Sequence, residues 1–168
     1  MIAGTALLFL GTIGLNELLF ARMEFAHGIS WIYLPAGVRL LCILLFAEAG
    51  AIGILLASWL ICIFYFFPND PIRSFAGGVL AALAPYLTYR LLVAGRVGPS
   101  LAGLGPWRLL GCALAFSIAS PLMHHIWFAL QGQQEGLVRG FFVMASGDLI
   151  GTLIVLYTAK LLLSMRQQ

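Results

Sequence analysis

Apolar runs close to twenty residues long and nearly free of charge follow one another along this chain, and they restrict its fold more than any other feature. A bilayer core about 30 Å thick needs roughly 20 apolar residues per crossing helix. Six segments meet that need or approach it: 2–20, 31–46, 49–67, 74–93, 107–130 and 139–163. A transmembrane β-barrel would instead alternate polar and apolar residues in segments of about 10, and these runs do not alternate. Charged residues make up 9% of the chain and hydrophobic ones 62%. Soluble domains carry about 25% charged residues, so this chain cannot cover a surface that faces water. The expected fold is all-α, a polytopic transmembrane bundle of about six helices. Residues 1–168 are expected to form a single integral membrane domain, with no room for a soluble catalytic one. The first fifteen residues carry no charge, which removes the basic start of a cleavable signal peptide.

The second run is the shortest. It contains Pro35-Ala36-Gly37 and Arg39, and because proline suits the first turn of a helix, the helix is expected to begin near Pro35. Residues 29–34 would then form an interfacial or re-entrant stretch anchored by Trp31 and Tyr33. Pro68-Asn69-Asp70-Pro71 is a strong helix breaker. Six crossings put both termini on one side. With the termini in the cytoplasm, the inner connections hold five basic residues (Arg90, Arg96, Arg108, Lys160, Arg166) and the outer ones three (Arg22, Arg73, Arg139). Basic residues collect on the cytoplasmic side, so cytoplasmic termini are expected, in a bacterial inner membrane.

Polar residues inside the runs then fall at related depths. Asn16 and Glu17 lie near the outer end of the first helix, and Arg39 about a turn into the second. The adjacent His124 and His125 lie six residues before Leu130, or roughly 9 Å down at 1.5 Å per residue. Asp148 lies nine residues past Arg139, near mid-membrane. An ionisable side chain in hydrocarbon costs about 3 kcal/mol or more, so such groups line a cavity or pair with each other. The expectation is an outward-facing polar pocket built from Asn16, Glu17, Arg39, His124, His125 and Asp148. Its ligand would be small and polar or anionic, with Arg39 as the buried base, or a proton, since histidine beside carboxylates titrates near neutral pH. The bland alternative is an Arg39 ion pair with Glu17 or Asp148 that only fixes helix order. Neighbouring histidines point about 100° apart on a helix, so one of the two is expected to pack rather than face the site.

Signatures of enzymes are sparse. Gly98-Pro99-Ser100 has the glycine-x-serine of intramembrane serine proteases, but it falls in a loop away from the histidines and lacks the following glycine. A Cys-Arg-His transpeptidase would need a cysteine near Arg39 and His124, for which Cys42 is one turn away. Cys42, Cys62 and Cys112 lie singly in separate runs, as small core or lipid-facing residues do. No phosphate loop or zinc motif occurs. The chain is therefore read as non-enzymatic, with no cofactor, no metal and no nucleic-acid partner.

Two local patterns carry a resemblance. Trp31-Ile32-Tyr33-Leu34-Pro35-Ala36-Gly37, followed by Arg39 and a tight turn into the third run, is similar to the region after the first helix in bacterial membrane-associated sensor domains of the first MASE type. Gly147-Asp148-Leu149-Ile150-Gly151 resembles the Gly-Asp-x-x-Gly segment of the same domains. The resemblance covers about ten positions. It implies a membrane domain that precedes a cytoplasmic output module such as a histidine kinase or a cyclic-di-GMP enzyme. This chain departs from that pattern in having room for about six crossings rather than about eight, and in ending at Gln168 without such a module. In size and layout it also resembles the substrate-binding subunits of energy-coupling-factor vitamin transporters, although likeness of fold is a weak argument for function. The expected function is a sensor-like or interaction module that signals through a protein partner at the cytoplasmic face or within the membrane. The alternatives are a binding or transport subunit for a small polar solute, and a structural subunit of a membrane complex.

Overall fold

The computed structural model describes residues 1–26, 28–94, 104–133 and 135–165. Six helices are present among them: α1 (Ile2–Phe20), α2 (Leu34–Phe46), α3 (Glu48–Ile61), α4 (Pro71–Leu92), α5 (Pro106–Leu130) and α6 (Leu137–Met165). Five are long and apolar enough to cross a membrane, α3 by continuing through a π-helical turn, Cys62–Phe66. This is the pattern of a multi-pass membrane protein. Prolines open the helices where an amide would in any case lack a partner, at Pro71 in α4 and Pro106 in α5, with Pro35 at the second position of α2.

The sixth helix, α2, is the centre of the bundle. Its 13 residues span only about 20 Å at 1.5 Å per residue, too little to cross a bilayer core alone. Helices α1, α3, α4, α5 and α6 follow one another around it, and α2 touches all of them. Every residue from Leu34 to Leu44 is buried. A helix that is apolar on all sides belongs in such a position. Behind it, Phe116 of α5 and Leu156 of α6 are completely enclosed.

Extended chain fills the rest of the bundle's height beside α2. After α1 come a short 3₁₀ turn (Ala21–Met23) and a small antiparallel hairpin, β1 (Glu24–Ala26) and β2 (Ile29–Ser30). Gly28 turns between them at φ +80° and donates its amide to the Glu24 carboxylate. From Ser30 to Leu34 the chain descends along α6. The Ser30 carbonyl lies against Gly147 and the Tyr33 carbonyl against Gly151, each about 2.0 Å from where a Cβ would stand. Gly147 is ten residues, or about 15 Å, into α6. Non-helical backbone at such depth must satisfy its polar groups within the protein. Here Trp31 N–H donates to Met23 O, Tyr33 N–H to Gly147 O, and Leu34 N–H to the Asn16 side chain at 2.9 Å.

Helix α2 turns into α3 through Ala47 alone, at φ 47° and ψ −121°. The turn closes because Gly50 lets α3 reach the Cys42 carbonyl, which a Cβ there would meet at 2.4 Å. At the opposite end, Ser74 of α4 shares its hydroxyl between the Cys62 and Phe67 carbonyls and so fastens the π-helical turn to α4.

Candidate functional site

Arg39 projects from the buried centre of α2, and its residue is only 3% exposed. Its guanidinium lies 5.4 Å from the ring centre of Phe116 and 5.7 Å from that of Tyr33, within range of cation–π attraction. Among the described residues its one acidic contact is Asp148 of α6, with Nη2 3.5 Å from Oδ1. Charge-assisted N–H···O bonds run at about 2.7–2.9 Å, so this contact is loose. Arg39 Nε is buried without a hydrogen-bond partner, and Asp148 Oδ2 has none within hydrogen-bond distance, with the Ser120 hydroxyl nearby. Desolvating two charges costs several kcal/mol each, and only good geometry with every polar atom satisfied offsets it. This pair has spare hydrogen-bonding capacity where capacity is most costly to leave unused.

A cavity of about 80 Å³ begins at Arg39. A water needs roughly 10–15 Å³ by the same measure, so several waters or a small ligand group fit. Its walls rise from Arg39 and Ser58 past Tyr33, Cys62 and His124 to Arg73 and Trp127. Gly28, Phe67 and Phe128 place the upper rim among the connections at the Phe20 end of the bundle. Among the described residues no carboxylate lines it, whereas two arginines do. The Ser58 hydroxyl, on a residue 1% exposed, is also buried without a partner. Cationic walls with unused donors suit a negatively charged group.

The polar residues singled out by sequence divide into three sets. Arg39 and His124 line the cavity, with His124 Nδ1 held at 2.8 Å from the Ser120 carbonyl of its own helix. Asp148 stands behind Arg39 and is fully buried. Asn16, Glu17 and His125 do not line the cavity. Asn16 instead supplies the acceptor for the first amide of α2, a capping role played from another helix. His125 packs edge-on to Phe128 and Phe141 with its Nδ1 on the Pro121 carbonyl. Glu17 is half-buried on α1. The Gly98-Pro99-Ser100 segment lies outside the described residues. Cys42 sits in the core between α1 and α3 with Phe9 and Ile13, and it is Cys62 that reaches the cavity wall.

Arg73 is the residue that sequence reading passed over, having counted it as a charge in an outer loop. It lies in the first turn of α4, whose Asp70 cap accepts the Arg73 amide at 2.9 Å. The guanidinium stands 4.3 Å from the Phe67 ring centre and 5.4 Å from that of Phe128, and its Nε is buried without a partner. A cation at the positive end of a helix is unfavourable. That misplacement was the available signal that Arg73 answers to something other than its own helix. Ser58 gave no signal, since a lone serine in an apolar run usually bonds to its own backbone.

Among the described residues no group of three or more His, Cys, Asp or Glu side chains could hold a metal ion. Comparison of the chain with family models, with curated proteins and with solved structures finds no match.

Proposed function

We propose that this chain is a non-enzymatic, multi-pass protein of a bacterial inner membrane, with both termini in the cytoplasm, that binds a small polar or anionic ligand in the Arg39 cavity and signals its occupancy through a protein partner. The observation that carries this reading is Arg39 itself, buried at the cavity floor with an unpaired Nε and, among the described residues, a single loose ion-pair contact, to Asp148. Cytoplasmic termini place the cavity mouth toward the periplasm. An anion at Arg39 competes with Asp148 for the guanidinium. Because Arg39 belongs to α2 and Asp148 to α6, that competition bears on the contact between the two helices. A ligand shifts such an equilibrium only by its difference in affinity for the two arrangements. The two segments that resemble MASE-type domains support the sensor-like reading, because they lie against one another here: Tyr33 donates to Gly147, and Gly37 faces Gly151 and Val155.

The test is thermal unfolding of the protein in nanodiscs against a panel of organic carboxylates and phosphates. At least one member should raise Tm for the wild type and fail to do so for Arg39→Lys, which keeps a charge opposite Asp148 but loses the planar fork. Absence of stabilisation by every member, or equal stabilisation of both proteins, overturns the proposal. A binding or transport subunit would use the same cavity, and its position at one end of the bundle favours that second reading. Solute accumulation in proteoliposomes that is abolished in Arg39→Lys would select it, whereas co-purification with a kinase or cyclic-nucleotide enzyme would select the sensor.

A further inference from the structure

Trp127 of α5 belongs to the walls of three cavities at once. The first is the basic cavity above Arg39. The second, about 170 Å³, is a polar recess where Trp127 meets Asp70, Arg73, Gln131 and Gln133. The third, about 540 Å³, is an apolar groove between α4 and α5, lined by Ile72, Phe75, Ala76, Val79, Leu80 and Trp127. Arg73 and Phe128 are common to the first two, and Leu80 is common to the first and third. The basic cavity and the apolar groove therefore adjoin at Leu80 and Trp127, with two arginines on one side of the indole and hydrocarbon on the other.

We infer that the ligand of the Arg39 cavity is an anionic amphiphile drawn from the bilayer, with its acidic head between Arg39 and Arg73 and its hydrocarbon tail leaving past Leu80 and Trp127 along the α4–α5 groove; this rests on the reading of that cavity as a ligand site. A fully hydrophilic anion would give up its water to walls that are mostly aromatic and aliphatic, with Arg39, Arg73, Ser58 and His124 as the polar replacements. An amphiphile matches both halves. The head meets guanidinium groups and the unpartnered Ser58 hydroxyl, and the tail meets hydrocarbon throughout. Phe75 and Ile72 are about 60% and 65% exposed on the groove, so a tail there lies in contact with surrounding lipid and need not enter a sealed chamber. The Trp127 ring sits where the two halves join, as amphipathic rings do at membrane interfaces.

Butyrate and palmitate distinguish the parts, each titrated by thermal stabilisation of the protein in phosphatidylcholine nanodiscs and expressed per mole fraction in the bilayer. Arg73→Gln should weaken both by roughly tenfold, the worth of a charge-assisted contact. Val79→Trp fills the groove and should weaken palmitate by roughly tenfold, as overpacking does, and leave butyrate unchanged, which also shows that the variant folds. If butyrate binds and palmitate is insensitive to Val79→Trp, the tail lies elsewhere and this inference fails while the cavity stands as a site. If palmitate binding is indifferent to both substitutions it is bulk partitioning, and the inference likewise fails. If neither anion stabilises the wild type, the ligand site and the inference fail together. If Val79→Trp changes the assembled mass and not palmitate affinity, the groove is a protein contact and the amphiphile is ruled out.

Discussion

Arg39 and Asp148 meet through one 3.5 Å contact between α2 and α6, and neither completes its hydrogen bonding. Removing one partner from a buried pair leaves an uncompensated charge, at a cost of about 3–5 kcal/mol, whereas replacing both by apolar residues is often neutral or better. Arg39→Met and Asp148→Leu should therefore each destabilise the protein strongly, and the double variant should recover most of the loss. Unfolding in mixed micelles measures this. Additive losses in the double variant would mean that the two side chains do not interact.

Gly147 and Gly151 hold the descending chain against α6. A methyl group at either would stand about 2.0 Å from a backbone carbonyl, of Ser30 or Tyr33, and backbone cannot swing away as a side chain can. Gly147→Ala and Gly151→Ala should each cost about 2 kcal/mol or more. Gly14 of α1 has nothing within 4 Å of its would-be Cβ, so Gly14→Ala should be neutral or stabilising by up to about 1 kcal/mol. The same unfolding assay ranks the three, and equal effects would contradict the close approach.

The turn at Ala47 makes the opposite prediction. Its φ of 47° with ψ of −121° suits glycine and strains an L side chain by about 1 kcal/mol. Ala47→Gly should stabilise the α2–α3 turn by about that amount less the added chain entropy, and Ala47→Val should destabilise it. A fall in stability for Ala47→Gly would show that the Ala47 methyl, 8% exposed in the core, contributes more by packing than its backbone loses.

These sites also mark what could and could not be read from sequence. The long apolar runs located α1, α4, α5 and α6 to within three residues, because burial in lipid demands length and apolarity and little else. Pro35 announced the start of α2. The hairpin at residues 24–30 was not foreseen, since strands of three and two residues carry no periodic pattern. The shortness of the second run and a non-helical stretch at residues 29–34 were read from the sequence, but the packing of that stretch against Gly147 and Gly151 of α6 was not. A helix surrounded by lipid is apolar on every side, so no stripe distinguishes its inward face. For that reason Asn16 could be placed in depth and not in direction, and its capping of Leu34 came only with the fold.

Asn16 yields a direct test of that cap. Its Oδ1 is the acceptor for a buried amide at the head of α2, where an unmet donor costs about 1–3 kcal/mol. Asn16→Leu preserves volume and removes the acceptor, so it should destabilise by that amount and raise the exchange rate of the Leu34 amide. Unchanged exchange at Leu34 would mean the amide has another partner.

The two histidines separate function from packing. Each has its Nδ1 about 2.8 Å from a backbone carbonyl, Ser120 for His124 and Pro121 for His125. A carbonyl only accepts, so both rings carry the Nδ1 proton and present Nε2 outward. For His124 that atom belongs to a ring on the cavity wall. For His125 it faces Gly140 of α6, 3.1 Å from where a Cβ would stand, with Phe128 and Phe141 against the ring. His125→Ala empties a packed position and should lower stability by about 2–3 kcal/mol, leaving carboxylate binding intact once the fold is secured. His124→Ala should cost less stability and change the affinity for butyrate, because its ring forms part of the cavity wall. Thermal unfolding with and without butyrate reads both effects, and a matching response from the two variants would mean that their orientations do not differ as described.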